Sequence, residues 1–568
     1  MRQRTAPGSS TGQPLPAAAQ LGVASSMTSD RQDPVRPPAT EAPTTRRPSS
    51  VARQAVIALV VLVLVTVGVL GSAAPAAADG DPSVDLAALD RLVSDGTAAA
   101  SIPGAAIAIT RGTQVVHVRG YGHDATGAPI TENSRFRIAS LSKSFTSLAV
   151  LQLVDAGQLS LDDPVVTHLP EFRLADPRGA HLTVRQLLDQ TSGLADREVP
   201  EASRPQPKTL AEATTSLSSA HLVAAPGTRF NYHNPNYQVA ARLVEVLSGQ
   251  PFDTYLWEHV FRPAGMVASL TTYTDNEPVP GLTDGHVIAY GHPIPARAPA
   301  TFEAGAGDVV STAADLAHWL IVHANGGRTE DGTRLVSRRS MTELHTPSAP
   351  NGYALGWDTD GPAAAPTLLQ HSGNLLTFSA YQAVLPSSGY GIAILFNSGS
   401  PFLRDQTAIF RDVLTLVEGA DPVAVRPRVT TAALDALLGF LTVLVLALGA
   451  RSVLTSRRWA TKHALSGTRI LLGLGPPLAV LALGAAFPTI VGHLTGGRDV
   501  NWVTAACSWP ALIIVVAAAL VAAAATLIAR SWQLSQTRRN LADVPGRPAS
   551  AGSSLPVSSQ KPALRSHP

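Results

Sequence analysis

Three long apolar runs near the C-terminus constrain this chain more than any other feature. They cover roughly residues 432–450, 470–492 and 502–529. Each is close to the roughly 20 residues that a helix needs to cross a bilayer. Inside a bilayer every backbone polar group must be bonded within the protein, so these runs must be helices that pack together. The sequence therefore predicts a small transmembrane helical module with three helices.

Charges between the apolar runs predict their orientation. Basic residues cluster in the connection between the first two runs and after the third, whereas the middle connection carries only Arg498 beside Asp499. The basic residues are Arg451, Arg457, Arg458, Lys462, Arg469, Arg530, Arg538 and Arg539. By the positive-inside rule the first connection and the C-terminus are cytoplasmic. We therefore expect a cell-membrane protein with residues 79 to about 430 outside the membrane.

The N-terminal region has two parts. Residues 1–50 are rich in Pro, Ser, Thr and Arg, a composition that buries too little apolar surface to fold, so we predict a disordered cytoplasmic leader. Residues 51–78 hold an apolar run that ends in small residues suited to signal peptidase. This segment is a signal peptide or a signal anchor, and either one agrees with the orientation inferred from charge.

Composition excludes several function classes. The 43 basic and 41 acidic residues nearly balance, so no nucleic-acid partner is indicated. The single cysteine, Cys507, lies in an apolar run, so neither a disulfide framework nor a cysteine-ligated zinc site can form within one chain. We expect no metal and no cofactor. The remaining predicted segments are a soluble domain at 79–420, a linker at 421–431, the membrane module at 432–530 and a disordered cytoplasmic tail at 531–568.

A hydroxyl and an amine lie one helical turn apart in Ser140-Leu141-Ser142-Lys143. Residues three apart share a helix face, so Lys143 can approach the oxygen of Ser140 and take its proton. Leu141, Phe145 and Leu148 recur at helical spacing and are expected in the core. Burial and the helix start should both lower the pKa of Lys143.

The soluble domain shows strand patterns at its two ends and helical patterns between them. Residues 103–119 and 378–396 each read as two strands around a turn. Helical patterns cover 140–154, 184–188, 236–247 and 313–324, and 412–418 suits a terminal helix. We predict an antiparallel sheet flanked by helices, built from both ends of the domain, plus a mostly helical domain, with a cleft where the two parts meet.

Two further polar segments are candidate partners of Ser140. In Tyr232-His233-Asn234-Pro235, the proline favours the first helical position and should keep Asn234 out of helical geometry, which predicts a helix N-cap. A phenol beside an ammonium group can have a lowered pKa, so Tyr232 is a candidate general base.

The second segment, His371-Ser372-Gly373-Asn374, ends a short β-rich run. Gly373 would let a substrate approach the strand backbone closely, and the amide of Asn374 could point into the cleft.

Together, Ser140-x-x-Lys143, Tyr232-x-Asn234 and His371-x-Gly373 resemble the three-motif signature of the serine β-lactamase and penicillin-binding protein superfamily. The class C-like serine hydrolases, which include D-alanyl-D-alanine carboxypeptidases, D-aminopeptidases and esterases, are the most similar branch. The resemblance spans about residues 83–417 and implies an α/β (α+β) β-lactamase/transpeptidase-like fold. It also implies a small-molecule or peptide substrate, peptidoglycan-derived peptides included.

The resemblance implies a role for each residue of the motifs. Ser140 would form an acyl-enzyme on an amide or ester, and Lys143 and Tyr232 would share the proton transfers. Asn234 would orient Lys143 and bind the substrate amide, beside the substrate-binding strand that holds His371 and Gly373. The backbone N–H groups of Ser140 and Asn374 would form the oxyanion hole.

One departure from the family pattern bears on the substrate. Penicillin-recognising members often carry Lys where this chain has His371, and a histidine is largely neutral at pH 7. Recognition of a substrate carboxylate is thereby weakened, and D-Ala peptides, esters and β-lactam-like substrates all stay open. The alternative function is a catalytically silent membrane receptor for cell-wall or peptide ligands, because the membrane module is larger than anchoring requires.

Overall fold

The computed structural model describes residues 84–399, 404–420 and 431–542. The predicted leader, the signal segment, nearly all of the linker and the end of the tail lie outside these residues.

Three sheets are present in the described residues. The strands are β1 (Gly104–Arg111), β2 (Gln114–Gly122), β3 (Phe136–Arg137), β4 (Leu270–Thr271), β5 (Gly285–Ala289), β6 (His292–Ala296), β7 (Val309–Ser311), β8 (Asp358–Asp360), β9 (Leu368–Asn374), β10 (Ser379–Leu385) and β11 (Tyr390–Phe396). The main sheet has the order β2-β1-β11-β10-β9-β8, with every pair antiparallel. Strands from both ends of the domain thus meet at its centre, which confirms the predicted sheet.

Helices cover both faces of this sheet. Within the soluble domain they are α1 (Leu86–Ala99), α2 (Ser142–Asp155), α3 (Val165–His168), α4 (Val184–Leu188), α5 (Leu210–Thr215), α6 (Pro235–Ser248), α7 (Phe252–Leu256), α8 (Ala313–Ala324), α9 (Arg338–His345) and α10 (Arg404–Val417). Apolar residues of α1 and α10 pack on one face, and those of α2 and α8 pack on the other. Covering on both sides explains why β1 and β11 are almost continuously apolar and buried.

The predicted helical patterns are confirmed, with small shifts at the ends of most; the terminal helix predicted at 412–418 is longer and spans Arg404–Val417. Helices α4 and α8 match the predicted spans, and α6 ends at Gly249, whose φ of 71° gives the left-handed C-cap. The predicted helix at 140–154 begins as a 3₁₀ turn, Ala139–Leu141, before α2. Leu141, Phe145 and Leu148 are fully buried, as expected.

Three helices are long and apolar enough to cross a membrane, at Ala433–Leu454, Gly467–Ala485 and Pro510–Ala542. The C-terminal helices are α11 (Thr431–Leu454), α12 (Ser456–His463), α13 (Gly467–Ala485), α14 (Phe487–Leu494), α15 (Trp502–Ser508) and α16 (Pro510–Ala542). The predicted second run is divided at Ala486, next to Pro488, and the third is divided at Trp509, next to Pro510. Helix α16 also continues to Ala542, beyond the predicted end at residue 530.

Candidate active site

The segment that carries Ser140 is a tight turn held against strand β7. Ala139 has a φ of 52°, a left-handed conformation that is unfavourable for a residue with a Cβ. The hydroxyl of Ser142 donates to the Ala139 carbonyl at 2.6 Å and accepts from the Val309 amide at 3.0 Å. These bonds fix the strained turn and place Ser140 at the start of α2.

Lys143 points at the oxygen of Ser140. Its Nζ lies 3.1 Å from Ser140 Oγ and donates to the Ala306 carbonyl at 2.7 Å. The side chain is fully buried, and burial lowers the pKa of Lys143 to about 7, although the charges of Glu303 and Glu201 oppose this shift. A large fraction of the amine is therefore neutral at physiological pH and able to accept a proton.

Tyr232 lies beside this amine. Lys143 Nζ is 4.8 Å from the centre of the Tyr232 ring, and the phenol shares a hydrogen bond with Ser140. Burial raises the pKa of Tyr232, and it outweighs the opposing effects of the Ser140 bond and the Arg498 charge. The predicted lowering of this pKa is wrong, because desolvation of the phenolate dominates. The resting phenol keeps its proton.

Asn234 directly precedes α6, as the N-cap prediction requires, but its side chain makes no capping bond. Its φ of −59° and ψ of −38° are helical, so the expected non-helical geometry is wrong. The side-chain Nδ2 instead donates to Glu201 at 2.9 Å and to Glu303 at 3.4 Å, and the backbone amide donates to Glu201 at 2.8 Å. Its Oδ1 has no partner among the described residues and can accept from a substrate amide.

Gly373 brings strand β9 against the turn that carries Ser140. A Cβ at Gly373 would lie 2.5 Å from the Ile138 carbonyl oxygen and 3.1 Å from the Ser140 amide nitrogen. The glycine was predicted to make room for a substrate, and the protein's own backbone occupies part of that room. Asn374 follows on the same strand, and its side chain accepts from the Leu376 amide at 3.0 Å. The two predicted oxyanion amides thus lie on adjoining segments.

His371 is buried in β9 and uses both ring nitrogens within the protein. Its Nε2 accepts from the Tyr353 hydroxyl at 3.0 Å, and its Nδ1 donates to the Ser372 carbonyl at 2.7 Å. Burial, together with the charge of Lys143, lowers the pKa of His371 to about 3. The imidazole is neutral, as expected, so the position offers no cation to a substrate carboxylate.

A second group of charges lies behind Asn234. His233 Nδ1 donates to Asp196 at 2.9 Å and lies 3.1 Å from a Glu201 oxygen. Burial would lower the pKa of His233, but these two carboxylates raise it above its usual value. Arg498 lies against both carboxylates, 2.9 Å from Glu201 and 3.4 Å from Asp196.

Asp196, Glu201 and His233 offer ligand atoms within 4.8 Å of one another, a spacing that could hold a metal ion. However, the Arg498 guanidinium already lies on both carboxylates and the His233 ring donates to Asp196, so the protein itself supplies a cation there.

Sequence reasoning missed this second group. Asp196 and Glu201 fall in a long loop, and Arg498 falls between two of the apolar C-terminal helices. Arg498-Asp499 is the one charged pair in that otherwise uncharged connection, and this is the only signal the sequence offers. Two buried acids near Lys143 were also missed: burial raises the pKa of Glu303 to about 8 and that of Asp308 to about 7.

Known proteins share this architecture. A family model described as Beta-lactamase matches residues 89–416. Penicillin-binding protein 4 of Amycolatopsis lactamdurans is 31% identical over 344 residues, which are 56% of this chain and 86% of that protein. Protein flp of Staphylococcus aureus (strain N315) is 26% identical over 320 residues, 56% of this chain. This chain spans only 64% of the length of that relative.

A solved structure extends the comparison to the fold. The octameric penicillin-binding protein homologue from Pyrococcus abyssi superposes with a TM-score of 0.50 at 26% identity. The match covers 60% of this chain and 79% of that one. The range 89–416, matched by the family model, holds all the motif residues described above.

Proposed function

The chain belongs to the beta-lactamase family, and from that premise we propose that it is a serine hydrolase that forms an acyl-enzyme at Ser140. The contact between Lys143 Nζ and Ser140 Oγ, at 3.1 Å, is the observation that carries the proposal. A nucleophile in hydrogen-bonding reach of a buried, partly neutral amine is an activated nucleophile. The family membership supports a hydrolase of the serine type.

The proton transfers follow from the two pKa shifts. Ser140 Oγ attacks the substrate carbonyl while the neutral amine of Lys143 takes its proton. Tyr232 holds its proton at rest, so it acts as the acid: it gives that proton to the leaving nitrogen or oxygen and recovers one from Lys143. The tetrahedral oxyanion accepts from the amides of Ser140 and Asn374, and one such donor is typically worth about 3 kcal/mol. Water then releases the acyl group from Ser140.

Two features of the site bear on the substrate class. Asn234 Oδ1 is an unpartnered buried acceptor, which suits the N–H of an amide or peptide substrate. The neutral His371 provides no permanent charge for a carboxylate. Esters and amides without a nearby carboxylate are therefore favoured over penicillin-like substrates and D-Ala peptides, both of which carry a carboxylate.

The proposal includes a location. The three apolar helices suggest membrane anchoring, and the positive-inside pattern puts the soluble domain on the extracytoplasmic side. Contacts between the 496–501 connection and the soluble domain support this arrangement, because they require both parts to be on the same side of the membrane.

An activity panel on the full chain in detergent tests the proposal. Wild type is expected to label with a fluorophosphonate probe at Ser140 and to hydrolyse a p-nitrophenyl ester faster than either nitrocefin or a D-Ala-D-Ala peptide. Ser140→Ala should lose both labelling and turnover. Ser219→Ala changes an exposed serine and is the matched control, expected to behave as wild type. A wild-type chain that neither labels nor turns over any of the three substrates would refute the proposal.

A second candidate function, a receptor that signals through the membrane helices, is favoured by the contact between those helices' connection and the site. In that case Ser140→Ala would keep the biological output of the wild-type protein.

A further inference from the structure

The connection between α14 and α15 reaches the soluble domain beside the candidate active site. We call residues 496–501 the outer loop. Its Arg498 donates to the Tyr232 carbonyl at 2.9 Å and to Glu201 at 2.9 Å, and its guanidinium carbon lies 5.5 Å from the centre of the Tyr232 ring. A side chain from the membrane module therefore contacts a residue of the proposed proton pathway.

Further bonds hold the outer loop in place. Asp499 accepts from the amides of Ala202 and Ser203 at 2.8 and 2.7 Å, and its own amide donates to Asp196 at 2.8 Å. Asn501 Nδ2 donates to the Ala202 carbonyl at 2.9 Å. Hydrogen bonds from both Asp499 and Asn501 therefore hold the 201–203 segment, which contains Glu201, in place.

The outer loop is also shaped by its own module. Gly496 and Gly497 have φ values of 81° and 87°, which turn the chain back after α14. A Cβ at Gly492 would lie 2.5 Å from the Arg498 carbonyl oxygen, so the outer loop packs closely on α14. The position of Arg498 is thus tied to the membrane helices.

Glu201 connects Arg498 of the outer loop to Asn234 of the second motif. Glu201 accepts from the backbone and side-chain amides of Asn234, and one of its oxygens lies 3.1 Å from His233 Nδ1. Its side chain is 11% exposed and that of Asp196 is 2% exposed, whereas Arg498 is 32% exposed. Without Arg498, the two buried carboxylates would keep His233 and the charge of Arg204 but lose the guanidinium that lies on them, and uncompensated buried charge forces rearrangement.

We propose that Arg498 is a positioning residue that the membrane module supplies to the active site. It holds Tyr232 through its backbone carbonyl and Asn234 through Glu201, so the site is complete only when the outer loop is docked. This inference rests on the proposed hydrolase function for its consequences in catalysis. Whether the Tyr232–Asn234 segment depends on Arg498 for its position is a separate, structural question that does not involve the hydrolase function.

The test compares full-length variants in lipid nanodiscs. Arg498→Gln is expected to lower the rate of fluorophosphonate labelling at Ser140 by about 100-fold, since misplacement by about 1 Å can cost that much. Arg498→Lys keeps the charge without the planar fork, so it should lose less. Asp435→Asn is the matched control. Asp435 accepts from the Tyr290 amide at 2.6 Å and the Trp509 indole at 2.8 Å, a second contact between module and domain that lies away from the site. It should label as wild type.

The pH dependence of labelling distinguishes a specific effect of Arg498 on the site from a general loss of docking between the outer loop and the domain. Groups that act on Lys143 are Glu303, Glu201, Asp308, Arg498, His371 and Tyr232. Among them, the Arg498 charge lowers the pKa of Lys143. The acidic limb of labelling should therefore move to higher pH in Arg498→Gln and stay in place in Arg498→Lys and Asp435→Asn.

Amide hydrogen exchange gives a readout that needs no activity. Arg498→Gln should speed exchange in peptides covering 196–203 and 230–236, whereas Asp435→Asn should speed it only around Tyr290. If wild type does not label, the hydrolase function fails and this exchange pattern alone decides the positioning proposal. Unchanged exchange and labelling in Arg498→Gln would overturn it. So would an Asp435→Asn variant with equal losses, because docking in general would then be responsible.

Discussion

The two sides of the candidate site are assembled in different ways. On the nucleophile side, Ser140 lies in the 3₁₀ turn that leads into α2, Lys143 lies one turn later in α2, and Gly373 lies on the adjacent strand. On the acidic side, Asp196 and Glu201 come from a long loop and meet Arg498 from the C-terminal helical region, 297 residues away from Glu201. The first side depends on local geometry, and the second depends on the docking of distant segments.

The groups proposed to react and the groups that hold them in place therefore lie on different sides of the site. The nucleophile side holds the groups that would exchange protons, and its geometry survives as long as α2 and β9 stay packed. The acidic side holds only charges that balance one another and fix Tyr232 and Asn234. We therefore expect changes on the nucleophile side to affect the chemical step most, and changes on the acidic side to affect placement and stability.

The largest effect is expected from Lys143→Ala. Removal of the general base typically costs 10²-fold to 10⁴-fold, so labelling at Ser140 should fall about 1,000-fold. The measurement is the second-order rate with a fluorophosphonate. Lys208→Ala, at an exposed lysine, is the control and should change nothing. A near-normal rate in Lys143→Ala would assign the base elsewhere and remove the basis of the comparison.

The pH profile of wild type tests the state of the same amine. Burial lowers the pKa of Lys143 from 10.5 to about 7, so the amine is neutral above that value and protonated below it. Only the neutral amine accepts the Ser140 proton, so labelling should be flat above pH 7 and fall about tenfold per unit below it. An acidic limb near pH 4 would point instead to a carboxylate base, and one near pH 10 to an unperturbed lysine.

Gly373→Ala probes the contact between strand and turn. Its Cβ would meet the Ile138 carbonyl at 2.5 Å and push the Ser140 turn away from β9. We expect labelling to fall about 100-fold, because the oxyanion amides would no longer converge. Gly467→Ala makes the same change where a Cβ meets no atom within 4 Å, and should have no effect. Normal labelling by Gly373→Ala would show that the turn can move without loss.

Glu201→Gln should have the smallest effect on rate. The single oxygen of the new side chain can accept only one of the two Asn234 bonds, and Arg498 and His233 lose a charged partner. We expect labelling to fall about tenfold and the free energy of unfolding to fall by about 3 kcal/mol. Thermal unfolding measures the latter, with Glu198→Gln, at an exposed residue 3.6 Å from Arg197, as the control. A rate loss as large as that of Lys143→Ala would erase the distinction between the two sides.

Much of the fold was predictable because its signals are local. The periodicity around Phe145 and the cap at Gly249 each reflect residues within a turn or two, and helices α4, α6 and α8 appear where the patterns put them. The strand patterns at both ends of the domain likewise gave the main sheet. The placement of the motif residues around Ser140 followed from their resemblance to a family rather than from any local pattern.

The rest could not be predicted, for a physical reason that Tyr232 illustrates. Its neighbour Lys143 suggested a lowered pKa, but the depth of burial reverses the direction. Burial depends on every segment packed around the phenol, and no local pattern records it. In the same way, the expected N-cap at Asn234 gave way to bonds with Glu201 and Glu303, which approach from other parts of the chain.

The amino-acid sequence alone predicts the main helices and strands of the domain, the long apolar helices near the C-terminus and the adjacency of Ser140 and Lys143, because each follows from spacing along the chain. Which charges face one another follows from the tertiary structure alone: Arg498 meets Asp196 and Glu201, and the buried Tyr232 keeps its proton. Desolvation and charge pairing are set by everything within a few ångströms in space, and distance along the chain does not limit them.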